Sequence, residues 1–306
     1  MLRIIQKRNI FFILSGTLVL VSIVAFIVWG LKLSIDFTGG SLSEISFIKD
    51  RPNVAEVREL LVSQKLNNTD EAVIQPAGSN ELIIRTKTLT EDEHQQLVNV
   101  LKDNYGQENV VENRFESIGP VIGQELKNKA IVAVIIVLAL IITYIAFTFR
   151  KVSKPMASWK YGLAATIALV HDVTIITGAF VLLGHYLNIE VGLLFVTALL
   201  TLLGYSVNDT IVVFDRIREN LIYRPKETFA ETVNQSANET IARSINTSLT
   251  ALLVLLALYF LGGVTIKYFV LALILGIIFG TYSSIFIASA IVFASSIGFF
   301  FSVFAS

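Results

Sequence analysis

Gly204-Tyr205-Ser206-Val207-Asn208-Asp209-Thr210-Ile211-Val212-Val213-Phe214 closes an apolar run that begins near Val191, and it sets one carboxylate among residues otherwise suited to hydrocarbon. At ~20 residues for a ~30 Å apolar layer, a run of this length crosses a bilayer as a helix. An aspartate near the centre of such a helix costs roughly 2.5 to 3.5 kcal/mol, so it is tolerated where it faces a protein interior or a wet cavity with a partner. Asp209 is a candidate functional group by position alone.

The rest of the chain supplies the same solvent. It is 54% hydrophobic and 16% charged over 306 residues, with a mean hydropathy of +0.69, a composition for lipid rather than for a soluble domain. The expected fold is an α-helical membrane protein with six transmembrane helices and an extracytoplasmic α+β domain between the first two. Residues 1–31 hold the N-terminus and first span, 32–129 the outer domain and 130–149 the second span. Then follow a loop at 150–160, spans at 161–184 and 191–214, an amphipathic connection at 215–243, spans at 244–266 and 268–296, and a tail at 297–306. The uncharged end of the chain suffices for one span and a tail, not comfortably for two. The first apolar run is longer than a signal-peptide core and reads as an uncleaved anchor.

Basic residues near span ends are retained in the cytoplasm. Arg3, Lys7 and Arg8 precede the first span; Arg150, Lys151, Lys154 and Lys160 join the second and third; Arg216, Arg218, Arg224, Lys226 and Arg243 join the fourth and fifth. These segments belong inside, with both termini. The block from Lys32 to Lys129 has 11 basic against 16 acidic residues and belongs outside. The formal net charge of zero conceals this asymmetry, in which the basic residues are topology signals and not a nucleic-acid surface. The absence of cysteine excludes disulfides and thiolate metal sites.

The outer block reads as β-α-β-β-α-β: strands at 41–48, 72–76, 82–88 and 110–117, and helices at 53–64 and from Thr90 to Tyr105. Asn53 with Glu56, and Thr90 with Glu93, have capping-box spacing. This order is the ferredoxin-like pattern. The block shows no phosphate loop, metal-spaced histidine cluster or catalytic triad, and His94 reads as a solvated helix residue.

At a spacing of four, Thr197, Thr201, Tyr205 and Asp209 make one polar stripe on the fourth span; Arg243, Asn246, Thr247 and Thr250 make another on the fifth. Two such stripes imply an internal wet seam. Burial and a nearby guanidinium act on the Asp209 proton in opposite directions, which makes it sensitive to small movements. His171-Asp172, mid-span, is either a second relay site or a structural hydrogen-bond pair. Asp36 with Gly39-Gly40 reads as a hinge. Asp215, Arg216, Arg218 and Glu219 read as a solvated amphipathic surface at the inner interface.

Ile35-Asp36-Phe37-Thr38-Gly39-Gly40, Gly119-Pro120-Val121-Ile122-Gly123-Gln124-Glu125-Leu126 and Gly204 through Asn220 together resemble the SecF family of bacterial protein-export subunits, a branch of the RND superfamily. Ala168 to Val173 and Ala242 to Thr250 agree with it. The resemblance spans the chain and implies the six-helix half of an RND-type pair completed by SecD, in the bacterial inner membrane. It further implies use of a proton, or in some members sodium, gradient to help preproteins leave on the outer side. The implied partners are SecD, the channel subunits SecY, SecE and SecG, YajC, preproteins and membrane lipids. No cofactor is implied beyond the coupling ion, and nucleotide hydrolysis falls to a different protein; the chain shows no Walker or kinase-like signature. In the family the acid of the GYSxNDT motif and the arginine of the ARS motif take part in ion coupling, which here places the role on Asp209 and Arg243, with Asn208, Thr210 and Tyr205 around them. Gly119, Pro120 and Gly123 stand with Asp36, Gly39 and Gly40 as structural motif residues. Two other functions stay open: an RND-like exporter of lipids or small hydrophobic molecules, for which one small outer module offers little pocket, and a passive scaffold, for which intramembrane charge would be needless.

Overall fold

The computed structural model of the chain describes residues 1–64, 66, 68–69, 72–149, 158–224 and 227–296. Arg150, Lys151, Lys154 and Lys226, on which the charge asymmetry leans, lie outside the described residues, as does the tail at 297–306. The chain divides into two units, Met1–Lys32 with Val132–Ser306, and Leu33–Ile131.

The smaller unit begins with a one-turn helix α2, Ile35–Thr38, which follows the first long helix α1, Arg8–Trp29. The order then runs β1 Gly40–Phe47, α3 Val54–Ser63, β2 Val73–Ala77, β3 Glu81–Thr86, α4 Glu91–Tyr105 and β4 Val110–Ile118. The strands form one antiparallel sheet in the order β2-β3-β1-β4, the ferredoxin-like arrangement. Alternation in β1 turns Ile45 and Phe47 onto a core with Val57, Leu61, Leu97 and Leu101 from the two helices, and leaves Glu44 on the other face. Thr90 and Glu93 form the expected capping box of α4, and Gly106 ends that helix at φ 100°. The box expected at α3 is absent: the Asn53 side chain caps the Ala55 amide instead. His94 is not solvated. It is 3% exposed, stacked 3.6 Å from the Phe115 ring, with Nε2 2.5 Å from Glu112 of β4; the amphipathic face of α4 turns it onto the sheet.

Among the described residues, six helices are long and apolar enough to cross a membrane: α1, α5 Pro120–Thr148, which begins in the smaller unit, α6 Ser158–Leu187, α7 Leu193–Tyr223, α8 Phe229–Leu261, and a final rod. That rod is α9 Val264–Tyr282, a π-helical segment Ser283–Ala288, and α10 Ser289–Ser296. Several ends differ from expectation. The Gly119–Leu126 motif does not precede the second span; α5 begins at Pro120 and carries it, as proline suits a first helical turn. The connection expected at 215–243 is mostly helix, because α7 runs to Tyr223 and α8 starts at the Thr228–Glu231 capping box. The last turn between spans is Gly262-Gly263, so α9 starts before the expected Tyr268.

α1 seats on α6, and α7 packs on both α8 and α9. Small residues permit these approaches, as is usual where lipid removes the hydrophobic drive between helices. At Gly178 of α6 an added Cβ would lie 2.6 Å from the Ser22 Cα and 2.3 Å from its Cβ. An aromatic cluster fills one end of the bundle, with the Tyr161 ring 5.6 Å from Phe149 and 5.4 Å from Phe214. At that end the segment before α1 is held down on α8. The Leu2 amide donates to Asn238 Oδ1 at 2.7 Å and the Ile5 amide to Asn234 Oδ1 at 3.2 Å, with Ile4 and Ile5 buried. At the other end Lys32 meets the α6–α7 turn, donating to Asn188 at 2.9 Å and accepting from the Val191 amide at 2.8 Å.

Candidate functional site

Two intramembrane carboxylates face the interior of the larger unit, and their surroundings differ. Asp209 on α7 accepts from the Ser244 hydroxyl of α8 at 2.6 Å through Oδ1. Its other oxygen is buried without a hydrogen-bond partner among the described residues. Arg243 is one residue from Ser244 on α8, and among the described residues it forms no ion pair with Asp209. The guanidinium lines a cleft of about 420 Å³ with Ile211, Asp215, Arg216, Glu219, Glu239 and Thr240.

Asp172 on α6 is more deeply enclosed and better satisfied. Its Oδ1 lies 2.9 Å from His171 Nδ1, and its Oδ2 accepts from Ser206 of α7 at 2.6 Å and Ser283 of the π-helical segment at 2.8 Å. A hydrogen bond to a charged group contributes about 1.5 to 3 kcal/mol, against about 2.5 to 3.5 kcal/mol for placing an aspartate at mid-membrane. Three donors exceed that cost at Asp172, whereas one leaves Asp209 near balance. Asp209 thus lacks the enclosing set of donors that Asp172 has.

The remaining motif residues divide. Thr210 is fully buried and shares a 2.8 Å bond with Ser284. Tyr205 donates to Ser248 of α8 at 3.1 Å, and Ser248 in turn bonds Thr281. Asn208 is exposed, and the α8 stripe expected to face the seam does not: Arg243, Asn246, Thr247 and Thr250 all lie on an exposed face. The inward stripe is Thr232, Ser236, Thr240, Ser244 and Ser248, each buried and also spaced by four. Its members are the small ones, which allow α7 to approach. Arg216 is not simply a solvated residue either. Its Nε donates to Glu239 of α8 at 2.6 Å, and Glu239 also accepts from Asn220 at 2.9 Å and Gln235 at 2.8 Å, so this cluster stitches the ends of α7 and α8. Asp215 pairs with Arg218 at 2.5 Å.

Within the smaller unit the two outer motifs meet. Gly39, at φ 74°, lies so close to the first turn of α5 that a Cβ there would be 2.7 Å from the Pro120 Cα; one at Gly123 would be 2.9 Å from the Gly39 nitrogen. Ser34 caps the α2 turn by accepting from the Asp36 amide at 3.2 Å, and Gly40 follows at φ 129°. Gly119 has open space around it. The geometry is a close backbone seat between the two segments.

A family model described as "Protein export membrane protein SecD/SecF, C-terminal" matches residues 97–296. The chain belongs to the SecD/SecF family. Among SecD/SecF relatives, the protein translocase subunit SecF of Thermobaculum terrenum is 44% identical over 301 residues, which covers 94% of this chain and 92% of that one. The protein translocase subunit SecDF of Thermus thermophilus is 38% identical over 291 residues, covering 92% of this chain and 37% of its own length. The crystal structure of SecDF from that organism, described as a translocon-associated membrane protein, matches with a TM-score of 0.82 at 36% identity. That match covers 95% of this chain and 38% of the solved one, so the chain spans little more than a third of the fused relatives. Membership makes this a protein-export membrane protein, and the relatives do not favour the lipid-exporter alternative.

The sequence singled out Asp209, Thr210 and Tyr205, which the structure brings into bonded contact with neighbouring helices. It missed Ser206, Ser244, Ser248, Thr281, Ser283 and Ser284. The available signals were the four-residue spacing of small hydroxyls along α8 and the run Thr281-Tyr282-Ser283-Ser284, each with a hydroxyl, within a mostly apolar rod.

Proposed function

We propose that the protein is the SecF-type subunit of a Sec translocase, and that with a SecD-type partner it uses the ion gradient of the bacterial inner membrane to promote preprotein movement and release on the outer side. The observation that carries this reading is Asp209, inside the membrane, with a single hydroxyl donor and a buried unpartnered oxygen. Entry of a proton neutralises the group and weakens its charge-assisted bond to Ser244. Exit restores both. The change acts on the α7–α8 contact, and the α7 and α8 ends carry it onward through the Arg216–Glu239 stitch.

The ion in this reading is a proton, since one carboxylate and one hydroxyl are too few oxygens for a dehydrated cation. Energy comes from the gradient and not from nucleotide hydrolysis by this chain. At ~2.3 kcal/mol per charge per 100 mV, a transferred ion supplies enough to shift a balanced helix contact. The exposed Asn208, Arg243 and Asn246 support a polar protein partner at membrane depth, because hydrocarbon offers them no hydrogen bond, whereas the Thr247 and Thr250 hydroxyls already donate to carbonyls of their own helix. SecY, SecE, SecG and YajC complete the proposed assembly. The N-terminal segment, the α7–α8 turn and Lys160 carry the retained positive charge and are assigned to the cytoplasm.

The test is preprotein export in cells depleted of the native copy and supplied with wild type, Asp209→Asn or Arg243→Ala at matched membrane levels. Gradient-dependent export is expected to stall in Asp209→Asn while the partner complex stays intact. Undiminished export would reduce the chain to a scaffold, and export that follows the sodium gradient alone would replace the proton.

A further inference from the structure

His171 and Asp172 are 7% and 4% exposed, in a span the coupling reading does not use. With the proton between His171 Nδ1 and Asp172 Oδ1 assigned to the ring, so that the carboxylate accepts, Nε2 is left with a lone pair. That nitrogen is buried and has no hydrogen-bond partner among the described residues. A carboxylate fully satisfied by three donors sits beside a basic nitrogen with none. Titratable neighbours are few. The Tyr282 ring lies 6.4 Å from the imidazole, and its hydroxyl accepts from Ser15 at 3.2 Å and donates to the Phe11 carbonyl of α1 at 3.3 Å. On α7 the nearest acid in sequence to Ser206 is Asp209, and α1 and α9 carry no charged residue between Asn9 and Trp29 or between Tyr268 and Tyr282.

We propose that the His171–Asp172 pair is a second proton-holding site, distinct from Asp209, whose occupancy is read by the π-helical segment through Ser283. The ligand is a proton and not a metal cation: an imidazole nitrogen in an apolar wall is a poor ligand for sodium, which prefers a shell of oxygens. A proton arriving at Nε2 gives an imidazolium beside a carboxylate, turning a net buried negative charge into a neutral pair. The Nδ1 proton can then pass to Asp172 Oδ1, leaving a neutral acid and the Nε2–H imidazole. One proton is gained in either form, and no bond other than N–H or O–H is made or broken.

The consequence falls on Ser283. Its hydroxyl donates to Asp172 and also lies 3.1 Å from the Gly280 carbonyl. With the carboxylate charged, the bond to Asp172 is the stronger; with the charge removed, Gly280, on the last α-helical turn before the π segment, becomes the competing acceptor. The next residue, Ser284, bonds Thr210 and the Ser206 carbonyl, so a readjusted π segment bears on the residue beside Asp209. π segments inside helices recur at functional positions. The site rests on its own geometry; its link to transport rests on the coupling reading above.

The chain has three histidines, His94, His171 and His185, which allows histidine-selective ¹⁵N NMR of the full chain in lipid nanodiscs. Subtracting the His171→Gln spectrum assigns the signal. With spectra recorded over about pH 5 to 8, His171 is expected as the Nδ1–H form at the high end, with a proton added on Nε2 as the pH is lowered. Asp172→Asn is expected to move that midpoint by about one pH unit, a tenfold change in affinity, and Ser283→Ala to move it less. A His171 signal unchanged across that range overturns the site, as does one that titrates identically in Asp172→Asn and Ser283→Ala. A signal that responds to sodium at constant pH overturns the choice of ion. The readout needs no transport, so failure of the coupling reading leaves it standing.

Discussion

Substituting Gly178→Ala probes the seat on which α6, and with it Asp172, is held. The new Cβ would sit 2.6 Å from the Ser22 Cα and 2.3 Å from its Cβ and hydroxyl oxygen. Normal contact lies near 3.5 Å, so α1 and α6 must part by about 1 Å. Overpacking of this kind costs about 1 to 3 kcal/mol, and a clash with backbone, which has no rotamer to escape into, places it at the upper end. Alanine regains about 1 kcal/mol over glycine as a helix former, for a net loss of about 2 kcal/mol. Ser22→Gly on top of it removes the side-chain clash but leaves the clash with the α1 backbone, so the double variant recovers part of the loss and the two changes are non-additive. Reversible unfolding in bicelles measures both. Asp172 is about 9 Å along the same helix at 1.5 Å per residue, and export is expected to fall with the displacement. A Gly178→Ala protein as stable as wild type, or stabilised by the helix-propensity gain, would refute the seat.

Glu239→Ala removes the acceptor for Arg216, Asn220 and Gln235 and is expected to cost about 2 to 3 kcal/mol, with Glu239→Gln milder; hydrogen exchange at the ends of α7 and α8 reads it. Gly39→Ala meets both a left-handed backbone and the Pro120 Cα at 2.7 Å and is expected to destabilise the outer unit by about 3 kcal/mol, whereas Gly119→Ala, in open space, is expected to be close to neutral by the same measurement. The Glu44 carboxyl is held above its ordinary 4.5, first by burial and then by Glu81 and Glu116, against Arg114. Its contribution to stability is therefore fully present below the ordinary value and is lost as pH rises through the elevated one. Glu44→Gln is expected to flatten that decline in the exchange of β1 amides and to protect them better at neutral pH.

The spans were legible because hydropathy over twenty residues leaves few alternatives, and the outer domain because period-two strands alternate with capped amphipathic helices. Helix ends were not. Arg216, Asn220 and Glu239 fall in the amphipathic connection expected at 215–243, and their pairing across α7 and α8 joins residues far apart in the sequence. The inward face of α8 was misjudged for a related reason: residues 243, 246, 247 and 250 and residues 232, 236, 240, 244 and 248 both have helical spacing, and charge drew attention to the wrong set. Small hydroxyls face a neighbouring helix, since they permit the approach; Arg243 cannot. His94 went inward because its partner, Glu112, is on a strand with no sequence relation to it. The Ser283-Ser284 pair marks where the π-helical segment begins, but nothing in it distinguishes a π turn from an α turn. Asp209 and the GYSVNDT stretch were found because a charge in an apolar run has few innocent explanations.

The hydrogen bonds that fasten Leu2 and Ile5 to Asn238 and Asn234 join residues as far as 236 positions apart. At about 5 to 20 residues per second, a ribosome needs on the order of ten to fifty seconds between making one partner and the other. Throughout that interval the Asn234 and Asn238 side chains that hold Leu2 and Ile5 are not yet made, and Ile4 lacks its cluster with Ala237 and Ile285. Biogenesis of this protein thus ends with a late fastening step, and shortening the supply of the second half of the chain would leave a membrane intermediate whose first residues are open to proteases and chaperones.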